Sequence, residues 1–333
     1  MNRFLCICTS VASALLLCNL AYAEDEGAIT DGIRVGGYAS GNLNLHPGGL
    51  VEASASEASL FLSWEGTGRW RLFSELEVEN LLHWREGASL STHKADFDVE
   101  RLYADYVYSE RATLRMGRFL TPVGRWNLIH ADPLVWTTRR PLATERLFSL
   151  NVNGIMLQGV LPLGAGALEY SVYSEAVHDM HHGNDEIPFE KTRGARLAFS
   201  GPAEVGLSLL DFREETLGNP HYRMLGLDFS AGHGGWEASG EVFRRFRVGE
   251  SNGSPDAGSG GYLQGVAPLG ARWFAVGRLE AMQRPAEASI QRWLVGAAWR
   301  IDEKRVLKLD YMGGNAERPE APKGMFASFA VLF

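Results

Sequence analysis

Apolar and polar residues alternate at period two along most of the chain, in about sixteen segments of roughly ten residues. In segment 305–311, Leu307 and Leu309 face one way while Lys308 and Asp310 face the other. Because successive side chains of a strand point to opposite faces, this pattern predicts strands with one apolar and one polar face. The same alternation recurs in 71–80, 100–109 and 291–301.

The connections between these segments alternate strictly between short and long. The tight turns fall at 66–68, 109–111, 163–166, 201–203, 232–235, 269–270 and 302–304. The longer polar stretches, rich in Gly and Pro, fall near 44–56, 83–98, 119–152, 177–191, 214–221, 248–260, 284–289 and 314–323. Short turns at one end and long loops at the other are typical of membrane β-barrels. We therefore predict an all-β, transmembrane antiparallel β-barrel of about sixteen strands, with short periplasmic turns and long extracellular loops.

The N-terminus has the features of a secretion signal. A mostly apolar stretch follows Arg3, and Ala21-Tyr22-Ala23 matches a small-x-small cleavage pattern. All three cysteines precede this point, so the mature chain would contain no disulfide. The expected organisation is a signal peptide over 1–23 and a single barrel domain over 24–333.

The last nine residues alternate from Met325 and end on an aromatic, Phe333. This segment resembles the closing strand of bacterial outer-membrane β-barrels, in which a C-terminal aromatic strand is read by the barrel-assembly machinery. The resemblance implies that Phe329 and Phe333 form the assembly signal. It also implies the outer membrane of a Gram-negative bacterium as the location, with membrane lipid, lipopolysaccharide and the assembly machinery as partners.

Composition excludes several other classes of protein. A net charge of -8 opposes binding to nucleic acid. Phosphate-cradling loops that lead into a helix, cysteine-based metal sites and haem-attachment motifs are not found in the sequence, so we expect no cofactor. Serine and histidine occur in the loops, but no spacing singles out a catalytic triad, so the sequence predicts that the protein is not an enzyme.

The charged face of each strand is expected to line the lumen. Arg or Lys facing lipid at mid-membrane would cost about 2–4 kcal/mol each, whereas the inner side of a barrel is wet. The residues predicted to line the lumen are Glu75, Glu77, Glu79, Arg101, Asp105, Arg115, Arg245, Arg292 and Arg300. Opposed acidic and basic walls would favour polar, dipolar solutes over apolar ones.

The third long connection, 119–152, is the longest and carries several basic residues. In general porins a long third loop folds into the barrel and narrows it, and guanidinium groups there would suit oxyanions. The alternative is an extracellular loop whose charges bind lipopolysaccharide or stay solvated. The candidate constriction or substrate-binding residues are Arg125, His130, Asp132, Arg139, Arg140 and Arg146.

The strand that enters this loop, Arg115-Met-Gly-Arg-Phe-Leu-Thr-Pro-Val-Gly124, resembles the corresponding stretch of the phosphate-selective porins O and P. Residues 153–159 resemble the strand that resumes after the loop. The matching positions, whose role would be structural, are Gly117, Phe119, Pro122 and Gly154. Those porins line their pores with a dense ladder of arginines, which this chain does not match.

This resemblance implies a sixteen-stranded porin that passes small hydrophilic solutes or ions passively, and trimerisation is typical of the family. Two alternatives stay open on the sequence. One is a channel selective for oxyanions such as phosphate or for metal ions. The other is a non-conducting structural barrel or an outer-membrane enzyme.

A second candidate site lies in the fourth long connection. Residues 178–185 contain three histidines and two aspartates, and imidazole with carboxylate can hold Zn, Cu, Ni or Fe. The sequence offers His178, His181 and His182 as metal ligands, with a solvated surface loop as the alternative.

Overall fold

Sixteen strands form one closed antiparallel barrel in the computed structural model, which describes residues 32–129, 131–178, 188–216, 218–249, 256–284, 288–315, 318 and 320–333. Each strand pairs with its neighbours in sequence, and β1 pairs with β16 to close the ring. The predicted signal peptide, 1–23, lies outside the described residues. The strand number and the antiparallel topology confirm the predicted fold class.

The strands are β1 (Ile33–Leu45), β2 (Val51–Glu65), β3 (Trp70–Arg85), β4 (Asp96–Ser109), β5 (Ala112–Leu120), β6 (Asn151–Leu163), β7 (Gly166–Glu175), β8 (Phe189–Ser200), β9 (Ala203–Glu214), β10 (His221–His233), β11 (Trp236–Arg247), β12 (Asp256–Pro268), β13 (Trp273–Gln283), β14 (Ile290–Arg300), β15 (Arg305–Gly314) and β16 (Gly324–Leu332). Between β5 and β6 lie a 3-10 helix, Trp126–Leu128, and a short α-helix, α1 (Leu142–Arg146). Among the helices in the described ranges, none has the length and apolarity needed to cross a membrane.

The connections alternate between short turns and longer loops as predicted, but the first loop is shorter than expected. The sequence suggested a loop over 44–56, whereas β1 and β2 remain paired until Leu45 faces Val51. The polar residues near this end are typical of a loop. They belong to paired strands because the inner face of a barrel accepts Asn and Glu as readily as a loop does.

The two faces of the barrel wall differ in the way expected of a membrane protein. Large apolar side chains are exposed on the outer face, including Leu72, Leu102, Leu157, Val172, Val242, Leu279 and Leu309. At the alternate positions, which point to the inner face, charged side chains are buried, as at Glu75, Lys308 and Asp310. This inverts the arrangement of a water-soluble protein, in which an exposed apolar surface of this extent is rare.

Aromatic pairs lie near both ends of the outer face. Trp273 and Trp299 stack with ring centroids 5.4 Å apart beside the short turns, where Trp70 and Tyr106 also make contact. Trp293 and Tyr311 lie 5.7 Å apart towards the long loops. Amphipathic rings at both rims of an apolar band are typical of barrels that sit in a bilayer.

The ring closes through the last residue of the chain. The amide of Phe333 donates to the carbonyl of Gly37 at 2.9 Å, and the amide of Gly37 donates back at 2.9 Å. A Cβ atom on Gly37 would overlap the carbonyl oxygen of Ser59 and lie 2.8 Å from Phe333 Cζ. Glycine at position 37 therefore leaves the room that the terminal aromatic ring needs beside β1.

Candidate functional site

The connection between β5 and β6, residues 121–150, enters the barrel. Both of its ends are tied by Asn127, whose Nδ2 donates to the carbonyls of Thr121 at 2.9 Å and Leu150 at 3.0 Å. From there its hydrogen bonds reach inward side chains as far away as Ser328 on β16. A segment that leaves β5 and meets the polar face of strands around to β16 can do so only from the inside. We call residues 121–150 the inner loop.

Apolar side chains hold one part of the inner loop against the wall. Val123, Leu142, Ala143, Leu147 and Phe148 are buried in a single cluster with inward residues of β8–β14. Phe148 and Phe243 lie with ring centroids 5.3 Å apart. The wall residues of this cluster are Phe189, Leu210, Phe212, Tyr222, Met224, Phe243, Met282 and Ile290.

This patch is apolar because the loop, rather than water, covers it. Each apolar side chain of this size stabilises the folded state by roughly 1.5–3 kcal/mol when it is removed from water. The inner face of β8–β14 is therefore only partly polar, whereas the sequence assigned the charged face of each strand to the lumen.

Charged wall residues hold the rest of the inner loop through its backbone. Asp310 Oδ2 accepts the amide of Thr138 at 2.6 Å, and Glu280 Oε2 accepts the amide of Leu142 at 2.7 Å. Glu241 Oε1 accepts the amide of Trp126 at 2.6 Å. Buried carboxylates need such donors, since an uncompensated buried charge is costly.

Two arginines and one glutamate form a compact network beneath α1. Glu280 accepts Arg278 Nε at 2.7 Å and Arg292 Nη2 at 2.9 Å, and all three side chains are buried. The remaining donors reach the loop, where Arg278 Nη2 binds the carbonyl of Arg139 at 2.8 Å and Arg292 Nη2 that of Arg140 at 2.5 Å. The forked guanidinium groups thus fix the path of the loop backbone.

The candidate arginines of the inner loop gather around one carboxylate, Glu145. Burial raises the pKa of Glu145, while Arg140, Arg292, Arg139 and Arg146 act in the opposite direction. Burial likewise lowers the pKa of the Arg139 guanidinium, which lies 5.5 Å from the Phe326 ring. The side of the inner loop near α1 is therefore basic with a single acidic group at its centre.

The remaining loop candidates are distributed along the inner loop. Arg125 Nε lies 3.5 Å from Glu204 Oε2, and Asp132 accepts Lys308 Nζ at 2.6 Å and Ser328 Oγ at 2.9 Å. His130 lies outside the described residues. Of the predicted set, the structure thus brings Arg139, Arg140 and Arg146 together, whereas Arg125 and Asp132 serve other contacts.

The wall formed by β2–β5 is acidic. Arg101 pairs with Glu75, and Arg115 Nε lies 2.8 Å from Asp105 Oδ1 while its guanidinium lies 3.6 Å from the Tyr103 ring centroid. Each of these arginines is thus neutralised by its own carboxylate. Further carboxylates on β2, β3 and β4 are Glu57, Glu77, Glu79, Asp96, Asp98 and Glu100.

Within this wall Glu57 and Glu77 lie on neighbouring strands, and the buried hydroxyl of Tyr38 donates to Glu57. Glu79 is exposed, in contrast to Glu75 and Glu77, which are almost fully buried. The β2–β5 wall therefore carries more negative than positive charge.

Three arginines that were predicted to line the lumen have different surroundings. Arg245 is buried beside Glu214, with which it forms a 2.5 Å ion pair, and its guanidinium lies 3.9 Å from the Tyr222 ring. Arg292 is buried against α1 as described above. Arg300 is half-buried and lies 4.2 Å from the Trp136 ring of the inner loop.

Sequence reasoning missed the wall residues that hold the inner loop, namely Lys308, Asp310, Glu280, Glu241 and Arg278. Their alternation marked them as inward-facing, and this was the only signal available. Nothing in the sequence links Asp310 to Thr138, since 172 positions separate the two residues.

Three of the four matching positions of the porin resemblance have structural roles that the geometry explains. Gly117 adopts a φ of 128°, and a Cβ there would overlap the carbonyl oxygen of Leu102. A Cβ on Gly154 would overlap the carbonyl oxygen of Ser174. Phe119 is fully buried with Val152 at the point where β5 passes into the inner loop.

Of the predicted metal ligands, only His178 falls within the described residues, whereas His181 and His182 lie outside them. His178 Nε2 lies 2.8 Å from Glu215 Oε1, and its Nδ1 lies 3.6 Å from Glu175 Oε1. The structure therefore surrounds this histidine with carboxylates from neighbouring strand ends, which the sequence did not indicate.

Comparison with known proteins identifies the fold. The chain superimposes on an anion-selective porin from Comamonas acidovorans with a TM-score of 0.62 and 15% identity, over 90% of this chain and 98% of that one. The chain superimposes on the outer-membrane channel DcaP of Acinetobacter baumannii with a TM-score of 0.60 and 11% identity, over 93% of this chain and 99% of that one. For the trimer form of the outer-membrane protein OmpT of Vibrio cholerae, the TM-score is 0.59 and the identity 9%, over 90% of this chain and 99% of that one.

Sequence comparison adds little. No family model matches the chain. An uncharacterised protein of Aquifex aeolicus is 28% identical over 137 residues, which is 39% of this chain and 30% of that protein. At these identities the similarity establishes a sixteen-stranded porin fold.

Proposed function

We propose that this protein is an outer-membrane channel for small hydrophilic solutes or ions, which cross it passively through a constriction formed by the inner loop. The observation that carries this proposal is the anchoring of residues 121–150 to the inner wall from β9 to β16. A barrel of sixteen strands is wide enough for an aqueous lumen, and a loop held inside it would narrow that lumen. The proposed signal peptide over 1–23 would export the chain.

Selectivity would arise where the inner loop faces the uncovered wall. The loop covers β9–β16, so solutes would pass between it and the acidic wall of β2–β5. The loop contributes Arg139, Arg140 and Arg146 on one side, and carboxylates such as Glu79 and Asp96 lie on the other. Opposed charges create a transverse field that favours dipolar solutes over apolar ones.

A second candidate, selectivity for anions, is supported by the arginine cluster at α1. Guanidinium groups bind oxyanions such as phosphate through a fixed fork of donors. A structural neighbour is described as anion-selective. The paired arginines of the β2–β5 wall oppose this candidate, because Glu75 and Asp105 neutralise them.

The partners follow from the outer surface. The apolar band would contact membrane lipid, the long loops would meet lipopolysaccharide, and Phe329 and Phe333 would be presented to the barrel-assembly machinery. A homotrimer is part of the proposal because a structural neighbour is described in a trimer form.

The test is single-channel recording of the purified mature protein in planar bilayers, with reversal potentials measured across a KCl gradient. Discrete open steps are expected. Block by added phosphate would favour the anion-selective channel over the general one. A folded barrel, verified by its heat-modifiable mobility, that gives no steps would reject the channel and leave a structural barrel or an enzyme.

A further inference from the structure

Four side chains of types that bind metal ions converge at the loop end of the barrel. β7 ends at Glu175, β8 begins at Phe189, and β9 ends at Glu214. Because these strands are neighbours, Glu175, Glu190 and Glu215 meet at one point of the rim. His178, three residues past the end of β7, completes the group.

We propose that His178, Glu190 and Glu215 bind a divalent transition-metal ion at this rim. Their ligand atoms all lie within 4.8 Å of one another, and no other group of three such residues does so in the described part of the chain. This site goes beyond the proposed channel and holds whether or not the barrel conducts.

The spacing of the ligand atoms suits a small tetrahedral ion. Bonds of about 2.0 Å at tetrahedral angles place neighbouring ligand atoms about 3.3 Å apart. His178 Nε2 and Glu215 Oε1 lie 2.8 Å apart, which is close to that separation. Since all three ligand atoms lie within 4.8 Å of one another, small shifts of the flexible glutamate side chains are enough to bring Glu190 to the same ion.

The ligand set also selects a class of metal. One imidazole with two carboxylates gives a charge of −2, which neutralises a divalent cation. Imidazole favours Zn, Cu, Ni and Fe, whereas Mg and Ca favour oxygen ligands alone. The sequence of this loop is also rich in histidine, since His181 and His182 follow His178 by a few positions.

Neighbouring groups orient the ligands. Glu175 Oε2 accepts the amide of Thr192 at 2.7 Å, and its other oxygen lies 3.6 Å from His178 Nδ1. A metal-bound histidine is commonly oriented by a carboxylate that accepts a hydrogen bond from its second ring nitrogen. The amide of Glu215 donates to the carbonyl of Pro188 at 2.9 Å, which holds the fifth loop against the start of β8.

Glu190 already has two contacts, with Asn219 Nδ2 at 2.8 Å and Lys191 Nζ at 3.2 Å, both at Oε1. A carboxylate has two oxygens and about four lone-pair sites, so these contacts and metal ligation are compatible. The Lys191 side chain is largely exposed and can turn into solvent when a cation arrives.

The chain offers a matched control in His221. Its Nε2 lies 2.9 Å from Asp211 Oδ1, so it forms a similar histidine–carboxylate pair. Arg193 and Arg223 also bind Asp211, at 3.2 and 3.1 Å, and their positive charges oppose a metal ion there.

The experiment is isothermal titration of the EDTA-treated, refolded full-length barrel with Zn²⁺, with Co²⁺ absorption as a spectroscopic readout of histidine ligation. We expect one ion per barrel, binding at least about tenfold weaker in His178→Ala and in Glu190→Gln/Glu215→Gln, and unchanged binding in His221→Ala. Millimolar Ca²⁺ should not displace Zn²⁺. Heat-modifiable mobility verifies that each variant is folded.

Unchanged Zn²⁺ affinity in His178→Ala would overturn the proposal. So would loss of binding in His181→Ala/His182→Ala while His178→Ala binds normally, because the ion would then be held by the loop alone. Failure of the wild-type barrel to bind Zn²⁺ would reject the site without bearing on conduction, which the bilayer recordings test separately.

Discussion

At the scale of single residues, Lys308 connects the wall to the inner loop most directly. Its side chain is fully buried, and its Nζ donates to Asp132 Oδ1 at 2.6 Å, to the Asp132 carbonyl at 2.8 Å and to the Thr137 carbonyl at 3.2 Å. An ammonium has three donors, and all three are used here. A buried charge is tolerated only with such partners, so Lys308 depends on the loop as much as the loop depends on it.

Replacing this lysine tests that dependence. Lys308→Met should lower the free energy of unfolding by about 3–5 kcal/mol, because the Asp132 carboxylate would remain enclosed without its cation. Urea unfolding from lipid vesicles measures the difference. The control is Lys304, which is exposed in the short turn before β15. Lys304→Met should change the free energy of unfolding by less than about 0.5 kcal/mol. Equal effects of the two changes would contradict the anchoring role.

Glu145 predicts a pH dependence of ion preference. Burial raises its pKa, so as pH falls it gains a proton before an exposed glutamate does. Protonation removes the acidic group from the arginine cluster, and the permeability ratio of anion to cation should rise. At neutral pH Glu145→Gln should show a higher ratio than wild type, and this difference should disappear in acid. Glu110→Gln, in a short turn at the other end, should match wild type at every pH.

At the scale of elements, the inner loop differs from the other connections because its partners are distant in sequence. The turns and most strands could be predicted from period-two alternation and Gly/Pro positions, since these signals are local. The sequence suggested the inward position of residues 121–150 by resemblance, because that position depends on contacts with β9–β16. One local signal was available in β9, where Leu209, Leu210 and Phe212 place apolar groups on both faces. A strand apolar on both faces indicates that something covers its inner side.

The basic face of the inner loop makes a second permeation prediction. One unit charge about 8 Å from an ion in water contributes about 0.5 kcal/mol, or about a twofold change in occupancy. The double substitution Arg139→Gln/Arg140→Gln should therefore shift the reversal potential towards cations by a factor of about two to four in permeability ratio. Neutralising Arg272, in a short turn, is the matched control. A shift towards anions would contradict the proposed position of these arginines.

At the scale of the whole molecule, stability depends on closing the ring between β1 and β16. Gly37→Ala introduces a Cβ against the Ser59 carbonyl and the Phe333 ring, and overpacking of this kind costs about 1–3 kcal/mol or more. Gly277→Ala is the control, since a Cβ there meets no atom within 4 Å. Refolding yield, read from heat-modifiable mobility, should fall for the first variant alone. Equal yields would show that the terminal residue does not limit closure.

The sequence was informative about the whole molecule and less so about its site. Strand number, antiparallel order and the apolar outer face all follow from alternation, because a membrane barrel repeats one rule at every strand. The roles of individual inner residues do not, because the same parity contains Glu79, which is exposed, and Lys308, which is fully buried. Lys308 is buried where it contacts Asp132 and Thr137 of the inner loop, and alternation carries no information about such a contact.

The most direct test of this account is single-channel conductance of a variant in which residues 125–147 are replaced by a short Gly-Ser linker, compared with wild type. If the inner loop narrows the lumen, the shortened barrel should conduct more in each open step and admit larger uncharged polymers. Its folding is verified by heat-modifiable mobility. An unchanged step size and polymer cut-off in a folded variant would contradict the constriction and place the barrier elsewhere in the barrel.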